Sequence, residues 1–152
     1  MELRWAAAAD AGSQFRSRDL CPQVAGVIAL GRPEALGEAL RAADIPPVPS
    51  NRIAYVDGYG NLKTTLTHSA FMARVGSLLR VRIGRMEQEA VVSDGSFAVE
   101  QGQLAFAPGS SGWRGPRGAE TRWMEFFLRG GSAWAAFGRP SVGEHVHIHA
   151  TC

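Results

Sequence analysis

Cysteines and long apolar runs are scarce in the sequence, and each absence limits what the protein can be. Its 152 residues include two cysteines, Cys21 and Cys152, at opposite ends of the chain. This is no disulfide framework, and it is typical of a reducing compartment. No apolar run approaches the roughly 18 residues that span a bilayer, and Glu2 and Asp10 interrupt the N-terminal alanines, so no secretory signal forms. We therefore expect a soluble, cytoplasmic protein.

A strong charge of either sign is also missing. The chain has 16 Lys and Arg against 14 Asp and Glu, which gives a formal net charge of +2. The arginines are scattered, apart from a modest cluster at Arg114, Arg117 and Arg122. Charge therefore gives no argument for a nucleic-acid or membrane partner.

The first 50 residues are predicted to form a short helical arm. "DLCPQVAGVIALG" and "RPEALGEALRAADI" place apolar residues at near-helical spacing. Asp19 is expected to cap the first helix and Gly31 to occupy its C′ position. "PPVPS" at 46–50 is a stiff linker, because each proline fixes φ and removes a donor. We place the domain boundary there, with the arm and linker at 1–50 and a β domain at 51–152.

From residue 51 the apolar period changes to two, and the 18 glycines and 8 prolines favour turns between short strands. The predicted strands are RIAYVDG, NLKTTL, SLLRVRIG, EQEAVVSD, SFAVEQ, QLAFAPG, RWMEFFLRG and EHVHIHA. "SAWAAFG" is either extended or one helical turn, and the tract at 108–120 is a flexible loop by composition. The expected fold is mainly β: a small antiparallel β-barrel, or a sandwich, preceded by the helical arm.

The stretch "YVDGYGNLKTTL" at 55–66 has two readings. It is an ordinary hairpin connection, because Asp, Gly and Asn tolerate positive φ. It is also a candidate binding site: Asp57 offers an acceptor to an ammonium or hydroxyl group, and Asn61 both donates and accepts at a heterocycle edge. Tyr59 would supply a flat face for stacking.

Two further stretches hold candidate site residues. In "FRSRDLCPQVAGVIALG", Ser17 lies between two arginines and could position an anion or a nucleophilic water, or simply belong to a solvated helix start. In "ETRWMEFFLRGGSA", Thr121 and Arg122 begin a strand that Arg129 and Gly131 follow. Glycine there would let a ligand approach the backbone closely. The alternative is an amphipathic strand that ends in a turn.

Together and in this order, the three stretches resemble the S-adenosylmethionine hydroxide adenosyltransferase family, to which fluorinases and chlorinases are related. The family's motif DRFGNLxTN, at the start of its C-terminal barrel, corresponds to DGYGNLKTT at 57–65. Its upstream motif FHGRDIFAPVAA, with YS for HG in halogenase-like members, corresponds to FRSRDLCPQVAG at 15–26. Its closing LEIA…GNAA…GDxV pattern resembles RWMEFFLRGGSAWAAFG…VGEHVHI. The likeness spans residues 14–149.

The resemblance implies that S-adenosylmethionine is the substrate, with no cofactor. Asp57 would hold its amino-acid end, Asn61 would hydrogen-bond the adenine, and Phe106 would stack on it. The residues that the resemblance places around the same ligand are Thr121 and Arg122 near methionine and adenine, Arg129 and Gly131 at the adenine edge, and Ser17 beside the reacting carbon.

Complete members convert S-adenosylmethionine and water to adenosine and methionine, in trimers whose pocket lies between one subunit's N-domain and its neighbour's C-domain. Here the upstream motif begins at Phe15, and Arg16 replaces its histidine. An arginine stays protonated and cannot serve as a general base. We expect a truncated chain that carries the adenine- and methionine-binding barrel and forms a homo-oligomer. The alternative is a non-catalytic adenosine-binding or assembly module, and turnover is left open.

Three histidines alternate near the C-terminus, in "EHVHIHA". Alternation puts His145, His147 and His149 on one face of a strand, about 6–7 Å apart. Adjacent same-face positions rarely converge on one ion. We therefore expect a solvated outer face and no metal, with Val146 and Ile148 turned to the core, and a metal-binding β protein is the third hypothesis.

Overall fold

The structure, a computed structural model, describes residues 15–32, 37–39, 41–71, 73–95, 98–114, 118 and 120–150. The chain divides into two compact units, Met1–Pro47 and Val48–Cys152, at the Pro-rich linker. Within these described ranges no helix is long and apolar enough to cross a membrane.

The N-terminal unit has two short helices, α1 (Arg16–Asp19) and α2 (Cys21–Ala29). Gly31 ends α2 as predicted: its φ is +69° and its N–H donates to the Ile28 carbonyl at 2.9 Å. The prediction that Asp19 caps the helix is wrong. Asp19 belongs to α1 and pairs with Arg18 at 2.5 Å, and the N-cap of α2 is Leu20, which makes no side-chain cap.

The second predicted helix lies partly outside the described residues, at 33–36 and 40. Of the rest, residues 37–39 are not helical, and only a 3-10 turn forms at Ala42–Asp44. The Asp44 carboxylate closes this turn by accepting hydrogen bonds from the Arg41 backbone N–H at 3.1 Å and guanidinium at 2.7 Å. The prolines that follow disfavour helical backbone in the preceding residue.

The C-terminal unit is one curled sheet of seven strands that forms a half-barrel. The strands are β1 (Ile53–Val56), β2 (Leu62–Thr67), β3 (Leu78–Ile83), β4 (Met86–Val92), β5 (Leu104–Arg114), β6 (Glu120–Leu128) and β7 (Val146–Ala150). Their order across the sheet is β1-β2-β6-β5-β4-β3-β7. The mainly β fold with a short helical arm is therefore confirmed.

The strand pairs are antiparallel except for β4 and β5, which run parallel with Val92 opposite Phe106. The sequence pattern did not predict this pair, which forms because the chain between the two strands crosses over instead of turning back in a hairpin. The two edge strands meet at one end, where Arg52 and His145 form a bridge. There the Val146 N–H donates to the Asn51 carbonyl at 2.7 Å.

The core lies on one face of the sheet. Along β3, Leu79, Val81 and Ile83 are buried while Arg80 and Arg82 are exposed, as the alternation predicts. Across the sheet, the rings of two fully buried phenylalanines, one each on β5 and β6, stack with centroids 4.5 Å apart. Burying each such side chain contributes about 1.5–3 kcal/mol and fixes the strands that carry the site.

Three segments differ from the sequence-based expectation or resolve its alternatives. Strand β5 continues to Arg114, through half of the predicted loop at 108–120, and pairs there with β6. In the predicted strand SFAVEQ, residues 96–97 lie outside the described part, and 98–101 form bends and a turn. The SAWAAFG segment takes its helical alternative, α3 (Ala133–Ala136).

Candidate functional site

The turn between β1 and β2 is ordered by the side chain of Asp57. Its Oδ1 accepts from the backbone N–H of Tyr59 at 2.9 Å and of Asn61 at 3.0 Å. Its Oδ2 accepts from Asn61 Nδ2 at 2.8 Å. Because a carboxylate only accepts, these bonds fix the Asn61 amide with its NH₂ toward Asp57. The stretch is a hairpin turn, and the same hydrogen bonds hold the Asp57 carboxylate and the Asn61 amide in fixed orientations.

Asp57 is ionised at neutral pH. Burial raises the pKa of its carboxyl group, but the backbone and side-chain N–H groups of Asn61, the Tyr59 N–H and the Lys63 charge together hold the pKa below its usual value. Lys63 Nζ lies 3.8 Å from Asp57 Oδ2. An already stabilised anion is a weak general base near pH 7, so Asp57 is suited to binding a positive group.

A buried ion pair lies beside this turn. Lys63, the chain's single lysine, is directly opposite Glu125 in the β2–β6 register, and its Nζ contacts Glu125 Oε2. Glu125 is buried although it lies on the opposite face of β6 from the core residues Met124 and Phe126. The backbone of β5 covers it, since a side chain at Gly109 would place Cβ 2.7 Å from Glu125 Oε2. Sequence reasoning missed this pair, because strand register is not visible in the local pattern.

Helix α3 packs directly on the turn. The Trp134 N–H donates to the Gly60 carbonyl at 2.8 Å. Gly60 has a φ of +80°, and a Cβ there would lie 2.1 Å from Ser132 Oγ. Ser132 Oγ in turn accepts from the Ala135 N–H at 3.1 Å and caps α3. Glycine is therefore required at position 60 by both its backbone conformation and this close approach.

Between the turn and the chain that follows α3 lies a cavity of about 660 Å³, here called the turn cavity. Its lining comprises residues 56–60 of the turn, Ser132 and Trp134, and residues 139–142. The Trp134 ring is held by its Nε1–H, which donates to the Pro140 carbonyl at 3.0 Å. Tyr59 is 84% exposed, so its ring is free at the rim.

One polar atom of the turn lacks a partner. Asn61 follows the cavity residue Gly60 without lining the cavity itself; its Oδ1 is buried, and no donor of the described residues reaches it. An unpaired buried acceptor costs about 1–3 kcal/mol, and buried polar groups in native proteins are rarely left so. A donor supplied by a ligand would satisfy this oxygen.

The structure brings Asp57, Tyr59 and Asn61 together but places Phe106 elsewhere. Phe106 is fully buried, stacked on Phe126 and in edge contact with Phe71 at 4.9 Å. Its ring has no exposed face for a ligand.

The remaining candidates are spread over several places. Thr121 and Arg122 lie on β6, and Arg122 lines a separate pocket of about 260 Å³. Arg129 supports the turn after β6: its guanidinium donates to the Val99 carbonyl at 2.5 Å. Gly131 precedes the cavity residue Ser132, and a Cβ there would meet Leu128 Cδ2 at 2.7 Å. Ser17 is exposed on α1, in the N-terminal unit.

His147 and His149 lie on one face of β7, and His145 directly precedes that strand. His145 and His147 stack with centroids 4.4 Å apart, while Val146 is buried and Ile148 packs against the core, as predicted. In the part of the chain that the structure describes, no group of three or more His, Cys, Asp or Glu side chains is placed to hold a metal ion.

Comparison with known proteins supports the fold. No protein-family model matches the chain, and no curated protein is similar to it. It is similar to an uncharacterized conserved protein from Thermotoga maritima, with 24% identity and a TM-score of 0.66 over 91% of this chain and 53% of that one. It is also similar to a conserved hypothetical protein from Thermus thermophilus, with 25% identity and a TM-score of 0.54 over 88% of this chain and 52% of that one. The chain thus spans about half the length of these two proteins.

Proposed function

We propose that the C-terminal unit binds the adenosine part of S-adenosylmethionine at the turn cavity, as the substrate-binding half of an adenosyltransferase. The observation that carries this proposal is the Asn61 amide, whose NH₂ is committed to Asp57 while Oδ1 is buried without a donor. The exocyclic amine of adenine is such a donor. The resemblance of DGYGNLKTT to the adenosyltransferase motif points to the same ligand.

Each group around the cavity has a part in this binding. Asn61 Oδ1 accepts from the adenine amine, and the exposed Tyr59 ring offers a face for stacking. The ionised Asp57 attracts a positive group, which in S-adenosylmethionine is the ammonium or the sulfonium. Thr121, Arg122, Arg129 and Gly131 belong to the proposed site by resemblance alone.

The turn cavity by itself does not provide all that catalysis requires. Displacement at the 5′ carbon requires an aligned, desolvated nucleophile. Asp57 is a weak base, and the rim at Tyr59 is solvent-exposed. In the proposed enzyme a second wall closes the site within a homotrimer, with water as the nucleophile. The exposed rim equally favours the second candidate, a non-catalytic adenosine-binding module.

Calorimetric titration of the chain with adenosine, together with chromatographic detection of adenosine released from S-adenosylmethionine, tests the proposal. The chain's two tyrosines make a matched pair, because Tyr59 lines the turn cavity and Tyr55 lines a different pocket. Loss of a base–aromatic stacking contact of about 1–3 kcal/mol predicts roughly 5- to 150-fold weaker binding for Tyr59→Ala and unchanged binding for Tyr55→Ala. Equal effects of the two variants, or no binding at millimolar adenosine, would contradict the proposal. Binding without adenosine release would favour the non-catalytic module.

A further inference from the structure

Arg139 is held in an unusual backbone conformation on the wall of the turn cavity. Its φ is +62°, and among the described residues the only other non-glycine with positive φ is Asn51, at +52°. The Arg139 N–H donates to the Trp134 carbonyl at 2.8 Å, which fixes this conformation. Glycine adopts such a φ without strain, whereas arginine does not. Strained non-glycine residues of this kind cluster at functional sites, which draws attention to the side chain.

The Arg139 side chain has unused hydrogen-bonding capacity. Its guanidinium lies 5.5 Å from the centroid of the Trp134 ring, a cation–π contact that leaves the N–H groups free to donate. None of the carboxylates in the described ranges lies within ion-pair distance of it. The residue is exposed and lines the cavity. A planar guanidinium with free donors is suited to bind a carboxylate or phosphate through two parallel hydrogen bonds.

Asp57, the carboxylate that lines the cavity, does not occupy the Arg139 guanidinium. Asp57 already accepts three hydrogen bonds, from the Tyr59 N–H and from the backbone and side chain of Asn61, and Lys63 lies near its second oxygen. The cavity therefore presents one ionised carboxylate, suited to a positive group, and one guanidinium whose donors are free to bind an anionic group. This arrangement favours a ligand that carries an anionic group at Arg139.

We propose that Arg139 binds the anionic group of the ligand in the turn cavity, so that the site selects an adenine nucleoside with a carboxylate or phosphate over neutral adenosine. This inference rests on the proposed function. The anion has two possible sources: the α-carboxylate at the amino-acid end of S-adenosylmethionine and its products, or the phosphate of a nucleotide.

Three probes separate these possibilities in calorimetric titrations: adenosine, S-adenosylhomocysteine for the carboxylate, and AMP for the phosphate. The wild-type chain should bind one of the two anionic probes at least about tenfold more tightly than adenosine, as a charge-assisted hydrogen bond provides. That advantage should shrink in high salt. Arg139→Gly should abolish the advantage, and it should fold because glycine suits the backbone at φ +62°. Asn51→Gly is the matched control, with a similar backbone conformation outside the cavity.

The outcomes distinguish this proposal from the adenine site itself. Adenosine binding with no preference for an anionic probe, or a preference that survives in Arg139→Gly, overturns the role of Arg139 and leaves the adenine site standing. Binding of AMP or S-adenosylhomocysteine that depends on Arg139, with no binding of adenosine, supports the anion site and contradicts the proposed adenine recognition. No binding of any probe overturns both.

Discussion

The ion pair between Lys63 and Glu125 provides a quantitative test of how the site is held on the sheet. The side chains of Lys63 and Glu125 are 15% and 7% exposed. Removing one partner of a buried pair destabilises a protein by about 3–5 kcal/mol, because the other charge is left uncompensated. We therefore expect Lys63→Met to lower the free energy of unfolding by about 3 kcal/mol, the lower end of that range, since the pair is slightly exposed.

The two single substitutions should differ in size. Lys63→Met leaves two carboxylates, Glu125 and Asp57, without their shared cation. Glu125→Gln leaves Lys63 with Asp57, 3.8 Å away, so its effect should be smaller. The double variant removes both charges of the pair and should be less destabilised than the sum of the singles, by at least about 1 kcal/mol.

Urea denaturation followed by tryptophan fluorescence measures these values, and a loss of about 3 kcal/mol corresponds to a melting temperature lower by about 6–12 °C. The exposed pair Arg80–Glu87, at 3.4 Å with side chains 55% and 53% exposed, is the matched control. Arg80→Met and Glu87→Gln should each change stability by less than about 1 kcal/mol. Additive effects of the Lys63 and Glu125 substitutions, or effects no larger than the control's, would refute the reasoning.

Two further predictions concern the sheet. Desolvation, followed by the positive charges of Arg82, His145, His149 and Arg52, lowers the pKa of His147 in the folded state, so the free energy of unfolding should fall as the pH decreases below about 6.5. His147→Gln should flatten the melting-temperature profile between about pH 7.5 and 5.5, and an unchanged slope would count against this prediction. Gly112→Ala would place Cβ 2.3 Å from the Thr121 carbonyl oxygen, whereas the Cβ of Gly95→Ala would meet nothing within 4 Å. Only Gly112→Ala should lower the free energy of unfolding, by about 1–3 kcal/mol. Equal denaturation midpoints for the two variants would contradict the close packing of β5 on β6.

The sequence predicted the fold best where a local pattern decides the structure. Alternation in β3 identified its buried face, and Gly31 ended α2 because a single positive-φ residue suffices for that cap. The prediction failed at residues 108–114, where glycines suggested a loop. There Gly109 and Gly112 allow β5 to approach Glu125 and the β6 backbone closely, so the same residues serve strand pairing. Composition does not distinguish these two uses of glycine.

The candidate site could be predicted only in part for a related reason. Asp57 and Asn61 are four residues apart, so the turn that joins them is visible in the local sequence. The contact of Lys63 with Glu125 depends on the register of β2 against β6, 62 residues away in sequence. Arg139 gave no sequence signal, because its backbone conformation and its place beside Trp134 arise at the end of α3, and the sequence left open whether that segment is helical or extended.

The most direct test of adenine recognition is a calorimetric comparison of adenosine with inosine, whose 6-position carries a carbonyl oxygen instead of an amine. Because the NH₂ group of Asn61 is held by Asp57, Oδ1 is the group left to accept a hydrogen bond from the ligand and should favour adenosine by about tenfold or more. Asn61→Ala should lose this preference while Asn51→Gly keeps it. Equal binding of the two nucleosides by the wild-type chain, or an unchanged preference in Asn61→Ala, would contradict adenine recognition at the turn cavity.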